Sequence, residues 1–223
     1  YFVPTFSLAV FAQLISLVIA VPMGILAAYK RGTSVDIITV SISLLGIAIP
    51  GFLLSMFLML FFGVHLKWLP VAGYIQLSRG LLEHLRYLLL PALSLGVVQA
   101  AYITRMSRSA MLDVLYMNYI RTARAKGLRE SAVVLVYGLK NAGPTILTVA
   151  GQSFGSLVTG TIVTETLFNI PGLGMLTMTS ITRRDVFVIQ GVVLFVTFIY
   201  VLVNLAVDIL YGFVDPRIQL GNK

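Results

Sequence analysis

The chain has 223 residues, of which 58% are hydrophobic and only 11% charged, and its mean hydropathy is +0.97. Ordinary globular domains carry roughly a quarter charged residues, so a soluble fold is excluded. Cysteine is absent, which removes disulfides, thiol nucleophiles and cysteine metal sites; the formal net charge is +8.

Five runs contain no Asp, Glu, Lys, Arg or His: residues 1–29, 37–64, 87–104, 141–164 and 186–207. A membrane-crossing helix needs about 20 apolar residues at ~1.5 Å per residue, so five crossings of one integral membrane domain are expected. No basic leader or small-residue cleavage site precedes the first run, which begins at Tyr1; the chain is expected to be truncated at its start rather than to open on a signal peptide. With five spans, the loops 30–36 and 105–140 and the tail from 208 hold eleven of the sixteen Lys and Arg. The positive-inside rule therefore explains the charge without nucleic acid, and places the N-terminus outside and the C-terminus in the cytoplasm.

In chain order, the first span covers about Phe6 to Ala28, with Pro22 expected to kink it. Asp36 is placed to cap the second helix, which runs to about Gly63 and is loosened at Pro50-Gly51; a plain kink is the expectation there. Trp68 sits in the outer loop as an interfacial aromatic, and His65 and His84 in the same loop are too far apart to suggest a metal site. The third span, Leu88 to Thr104, is expected to start at Pro91 as a first-turn proline and to end at Arg105 and Arg108. The fourth is expected from about Pro144 to Thr164. Its Gly143, Gly151, Gly155, Gly160 and serines allow close helix approach, which makes it central and nominates Gln152, Ser153, Gly155, Ser156 and Gly160 as lining a pathway. Glu165 to Asp185, with Pro171, Gly172 and Gly174, reads as a re-entrant or interfacial outer element too short to span. The last span, Phe187 to about Leu210, carries Asn204 and Asp208 as its polar members, Asp208 close enough to the inner end to reach water.

No energy source is encoded. The stretch Gly138 to Thr145 lacks the spacing and Lys-Ser/Thr ending of a phosphate-binding loop, and neither paired carboxylates nor a mid-membrane acid pair for a proton relay is present. Uphill transport would need work from another subunit. Residues 105–142 form the long polar stretch, with seven Lys or Arg between Arg105 and Lys140 against Asp113 and Glu130. As a helix, Arg121, Arg124 and Leu128 share a face, Ala123 and Ala125 keep the surface low, and Gly127 ends the first turns; a second amphipathic run covers Ser131 to Leu139. Membrane lipid headgroups would satisfy the same charges.

The stretches YIRTARAKGL, LKNA with a nearby proline, TETLFNIPGLG and VNLAVDILYGFVDPRI resemble, in order and over nearly the whole chain, the membrane permease subunits of bacterial ABC importers, specifically the dipeptide, oligopeptide and nickel branch. The family's loop motif E-A-A-x3-G aligns with Arg121-Thr122-Ala123 and Gly127, with Arg121 in place of the acid. Pro144 comes one residue early, Lys140 stands where arginine is usual, and the family's first helix is missing ahead of the matched region. The resemblance implies an all-α polytopic bundle of the type I importer permease kind in a bacterial plasma membrane, not itself an enzyme and without a cofactor of its own. ATP and magnesium would be bound by two partner ATPase subunits, beside a second, similar permease and an external solute-binding protein. It implies further that Arg121, Thr122, Ala123, Arg124, Ala125, Lys126, Gly127 and Leu128 couple to the ATPase. Peptide is the expected substrate, with nickel, glutathione or oligosaccharide as alternatives. A self-sufficient channel or ion-coupled carrier is the rival class, expected to show repeat symmetry or mid-membrane charges.

Overall fold

The computed structural model describes residues 1–214, without the side chains of Asp208, Leu210, Tyr211, Phe213 and Val214; the expectations for Asp208, the final VDPRI motif and the cytoplasmic tail lie outside the described residues. Every regular element described is helical. Helix α1 (Phe2–Tyr29) is followed by α2 (Ser34–Ala48) and α3 (Gly51–Leu58), which widens into a π-helical stretch at Met59–His65. A short loop with a single 3-10 turn leads to α4 (Leu81–Leu115) and then to the small α5 (Asn118–Ala125). Helix α6 (Glu130–Ala132) runs through a π-helical stretch into α7 (Leu139–Gly160), and α8 (Ile162–Leu167), α9 (Leu173–Arg183) and α10 (Val186–Val214) complete the chain.

Among the described residues, four helices are long and apolar enough to cross a membrane: Phe2–Tyr29, Leu81–Leu115, Glu130–Gly160 and Val186–Val207. The fifth expected crossing is the pair α2 and α3, which meet at 96°. That is a break, not the plain kink expected at Pro50. Proline disfavours helical backbone in the residue before it, and Ile49 is extended, with φ −78° and ψ 121°. The Ile49 amide closes α2 on the Leu45 carbonyl, and the Pro50 carbonyl opens α3 by accepting from Leu53 and Leu54.

Two helices are longer than the charge pattern implies. Helix α4 begins at Leu81, so Pro91 lies in its interior rather than its first turn, and it continues past Arg105 and Arg108 to Leu115. Charges mark where a helix leaves lipid, not where it stops; beyond Arg108 the buried Ala110, Met111, Val114 and Leu115 still supply an apolar stripe. Likewise the fourth span starts at Glu130, with Pro144 inside it and its end at Gly160, because buried Val133 and Val134 extend the packed face back toward α5.

The core is the pairing of α1 with α4. Helix α1 buries Thr5, Leu8, Ala9, Ala12, Ser16, Ala20, Gly24 and Ala27, mostly small residues at helical spacing, so the backbones approach closely and packing supplies the attraction that lipid does not. Two glycines set the closest points. A Cβ on Gly96 would lie 2.8 Å from the Ala12 carbonyl oxygen, and one on Gly24 would lie 2.7 Å from the Ser107 Cβ. Helix α7 packs on α1, α4 and α10, the last across Gly151 against Val207 and Gly155 against Tyr200.

Candidate functional site

Helix α5 is short but anchored. Ile120 and Ala123 are buried in a cluster with Ala110, Met111, Val114, Leu115, Val133 and Val134, joining α5 to the extensions of α4 and α7. Its end is a full Schellman motif: the Gly127 amide donates to the Arg124 carbonyl (2.9 Å) and the Leu128 amide to the Ala123 carbonyl (3.4 Å). Gly127 has φ +76°, a conformation glycine adopts without the steric cost other residues meet. The helix therefore stops before Leu128, and the shared helical face expected for Arg121, Arg124 and Leu128 reaches only its two arginines. The structure divides the candidate residues: Arg121, Thr122, Arg124, Ala125, Lys126, Gly127 and Leu128 are exposed, while Ala123 faces the bundle. Arg124 is engaged within the chain, its Nε and Nη2 donating to Glu130 at 3.1 and 2.7 Å. That hydrogen bonding raises the Arg124 guanidinium above its already high usual value, so it stays charged. Of the polar segment 105–142, the first part is the end of α4 and the last part the start of the next span; the connecting stretch is 116–129.

Along α7, Gln152, Ser156 and Gly160 are exposed as a pathway would need. Ser153 and Gly155 are instead buried: Ser153 donates within reach of the Ala150 carbonyl (2.8 Å) and Gln13 Oε1 (3.2 Å), and a Cβ on Gly155 would meet the Tyr200 ring at 2.7 Å. Their small size serves packing, while the exposed polar face is longer than expected. Asn141, Thr145, Gln152, Ser156 and Thr159 are exposed and Thr148 half-buried, at helical spacing over ~27 Å, close to the thickness of a hydrocarbon core. Gln99 of α4 joins them, its Nε2 lying 3.4 Å from Ser156 Oγ. The i, i+3, i+4 recurrence of these uncharged polar residues is visible in the sequence, but the glycines drew attention away from it. A polar stripe this long does not face lipid without cost.

At the opposite end, Glu165 is fully buried. Its Oε1 accepts from Thr5 Oγ1 (2.6 Å) and Thr161 Oγ1 (2.8 Å), and its Oε2 from the amides of Gly174 (2.7 Å) and Met175 (3.1 Å). Thr5 Oγ1 in turn accepts from the Leu173 amide at 2.8 Å. The carboxylate thus caps α9, where the helix dipole favours negative charge, and binds α1, α8 and α9 together. Side chains on Gly172 or Gly174 would occupy its place, which gives the TETLFNIPGLG stretch a physical reason. Sequence reasoning marked this stretch as a motif without finding what Glu165 holds.

Comparison with known proteins gives the family and the fold. The family model described as "Binding-protein-dependent transport system inner membrane component" matches residues 20–220. A probable peptide ABC transporter permease protein of Sinorhizobium fredii is 41% identical over 216 residues, covering 97% of this chain and 69% of that protein. The dipeptide transport system permease protein DppB of Escherichia coli K12 is 39% identical over 241 residues, covering 98% of this chain and 71% of its own. Among solved structures, an inward-facing conformation of the MetNI methionine ABC transporter superposes with a TM-score of 0.77 at 20% identity, over 95% of this chain and 93% of that one. That likeness concerns the fold.

Proposed function

The chain belongs to the family of binding-protein-dependent transport system inner membrane components, and from that premise we propose that it forms half of the translocation pathway of an ATP-driven importer of di- and oligopeptides. The observation that carries the substrate class is the identity of about two residues in five, along almost the whole chain, to proteins named as peptide and dipeptide permeases.

In this reading the energy comes from two separate ATP-binding subunits, a second, similar permease completes the pathway, and an external solute-binding protein delivers the peptide. The C-terminus is cytoplasmic. Helix α5 is the docking element: its inner face, Ile120 and Ala123, is fixed to the ends of two spans, and Arg121, Thr122, Ala125, Lys126 and Leu128 are presented outward. A short helix packed this way transmits a push without bending. The polar stripe from Asn141 to Thr159 then lines the pathway. Its amides and hydroxyls offer hydrogen bonds to a peptide backbone without selecting for side chains.

The test is co-purification from detergent with candidate ATPase subunits, comparing the wild type with a variant lacking residues 121–129, followed by ATP turnover of the complex. Retention by the wild type and loss by a folded deletion variant is the expected result. Equal retention by both, or by neither, would turn the basic loop into a lipid-facing surface and favour a channel or carrier. Within an assembled complex, Gly127→Asp is expected to leave the membrane fold intact and abolish substrate-stimulated ATP hydrolysis; unaltered transport would remove α5 from the coupling role.

A further inference from the structure

Asp36 was expected to cap α2, yet no side-chain cap bonds the α2 amides. Its carboxylate faces elsewhere. Arg108 of α4 donates to it through Nε (2.6 Å to Oδ1) and Nη2 (2.8 Å to Oδ2), and the Gly32 amide of the α1–α2 turn donates to Oδ2 at 3.0 Å. Asp36 is 5% exposed. This is a two-pronged ion pair, its carboxylate buried and its Arg108 side chain 24% exposed, that joins three elements, and such bidentate pairs are stronger and more geometrically specific than single contacts.

The surroundings of the pair make it more than one contact among many. Helix α2 lies along α4, with Gly46 so close to Ala101 that a Cβ there would sit 2.8 Å from the Ala101 Cβ. Between that contact and the ion pair the packing is open: a cavity of about 130 Å³ is bounded by Thr39, Ser43, Ala100 and Thr104, among others. The hydroxyl of Ser43 bonds back into its own helix, to the Thr39 carbonyl. Across a gap of this kind dispersion contacts are lost, so the Asp36–Arg108 pair is the principal polar link holding the cytoplasmic end of α2 to α4. A weaker tie reinforces it from the other side of the turn: the Arg31 guanidinium carbon lies 5.0 Å above the Tyr116 ring, at the junction of α4 and α5.

Arg108 stands two turns before the end of the helix that carries α5. Movement of α5 and the α4 extension therefore reaches Asp36 directly. From there it passes along α2 to the break at Pro50, and through α3, which touches α8, to the outer face. We propose that Asp36 and Arg108 are positioning residues that pass the displacement of the docking helix to the α2–α3 arm, so that ATP-driven movement opens the outer side. This rests on the reading of the chain as an ATP-driven permease.

The test uses the assembled transporter in proteoliposomes with its ATPases and binding protein, comparing the wild type, Asp36→Asn, Arg108→Gln and the exchange Asp36→Arg/Arg108→Asp. Assembly, binding-protein-stimulated ATP hydrolysis and peptide uptake per ATP are measured for each. The wild-type complex alone decides whether the permease reading holds, independently of the variants. The single variants are expected to assemble and hydrolyse ATP while uptake per ATP falls about tenfold, with the exchange restoring a substantial part. Unchanged uptake per ATP in the single variants would overturn the proposal. So would uptake that falls only in proportion to the amount of complex assembled. Should the single variants fail to assemble, the exchange decides: recovery of assembly together with coupled uptake supports transmission, and recovery of assembly without it, or no recovery, refutes it.

Discussion

At the scale of single residues, the two most informative carboxylates act by opposite means. Glu165 has no Lys or Arg partner among the described residues and is held by two hydroxyls and two amides. Removing it with Glu165→Ala strands four donors in a dry site, where each unsatisfied group costs about 1–3 kcal/mol. The variant is expected to lose most of its thermal stability in detergent, and Glu165→Gln, which keeps one acceptor oxygen, to lose less; equal midpoints for wild type and Glu165→Ala would contradict the cradle. Glu130 by contrast pairs with Arg124 at the surface, the two side chains 38% and 42% exposed. Such a pair contributes about 0–1 kcal/mol, so Arg124→Ala should leave stability nearly untouched. With Arg124 already occupied, Arg121→Ala is expected to reduce ATPase retention in co-purification more than Arg124→Ala does. Neither arrangement could be read from spacing. Glu165 lies 160 residues from Thr5, and only the fold brings them together, whereas the turn at Gly127 was legible because a left-handed helix end has a local sequence signature.

At the scale of elements, the sequence located every apolar helix but misjudged most of their ends. Runs free of charge report the thickness of lipid; they are silent about helix that continues into water on an apolar stripe, as α4 does through Met111 and Leu115. Prolines misled in the same way. Pro91 and Pro144 sit inside long helices, where neighbouring helices tolerate them, while Pro50 terminates one because the residue before it turns extended. The small-residue stripe of α1 was not singled out, though it builds the main helix pair of the core. Overpacking a close contact costs about 1–3 kcal/mol even where neighbours adjust. At Gly24 the nearest atoms include backbone, which adjusts little, so Gly24→Leu should separate α1 from α4 and sharply lower the yield of folded protein. A fully folded variant with wild-type stability would show that the two helices are not held at that point.

For the whole molecule, the chain presents one side to its own core and another to something else. Helix α10 is almost entirely uncovered on its outer face, with Phe187 87%, Leu194 71% and Phe198 59% exposed, as suits lipid or a second permease. The polar stripe of α7 points to a different surrounding, so the molecule is amphipathic across its width as well as along its loops. The α1–α4 pair runs between these surfaces. Its two glycine contacts, Gly96 on Ala12 and Gly24 on Ser107, are separated by ~18 Å along α1. A rod clamped at one point can swivel about it; a rod clamped at two cannot. The pair is thus a keel, stiff from one membrane face to the other, and any compliance in a transport cycle falls to the joints where helix is interrupted, at Ile49-Pro50 and at Thr161. Spin labels at Val18 and Leu82 should keep their separation between nucleotide-free and ATP-bound transporter, while the distance from Val18 to Phe57 changes; the reverse pattern would mean that the keel itself bends.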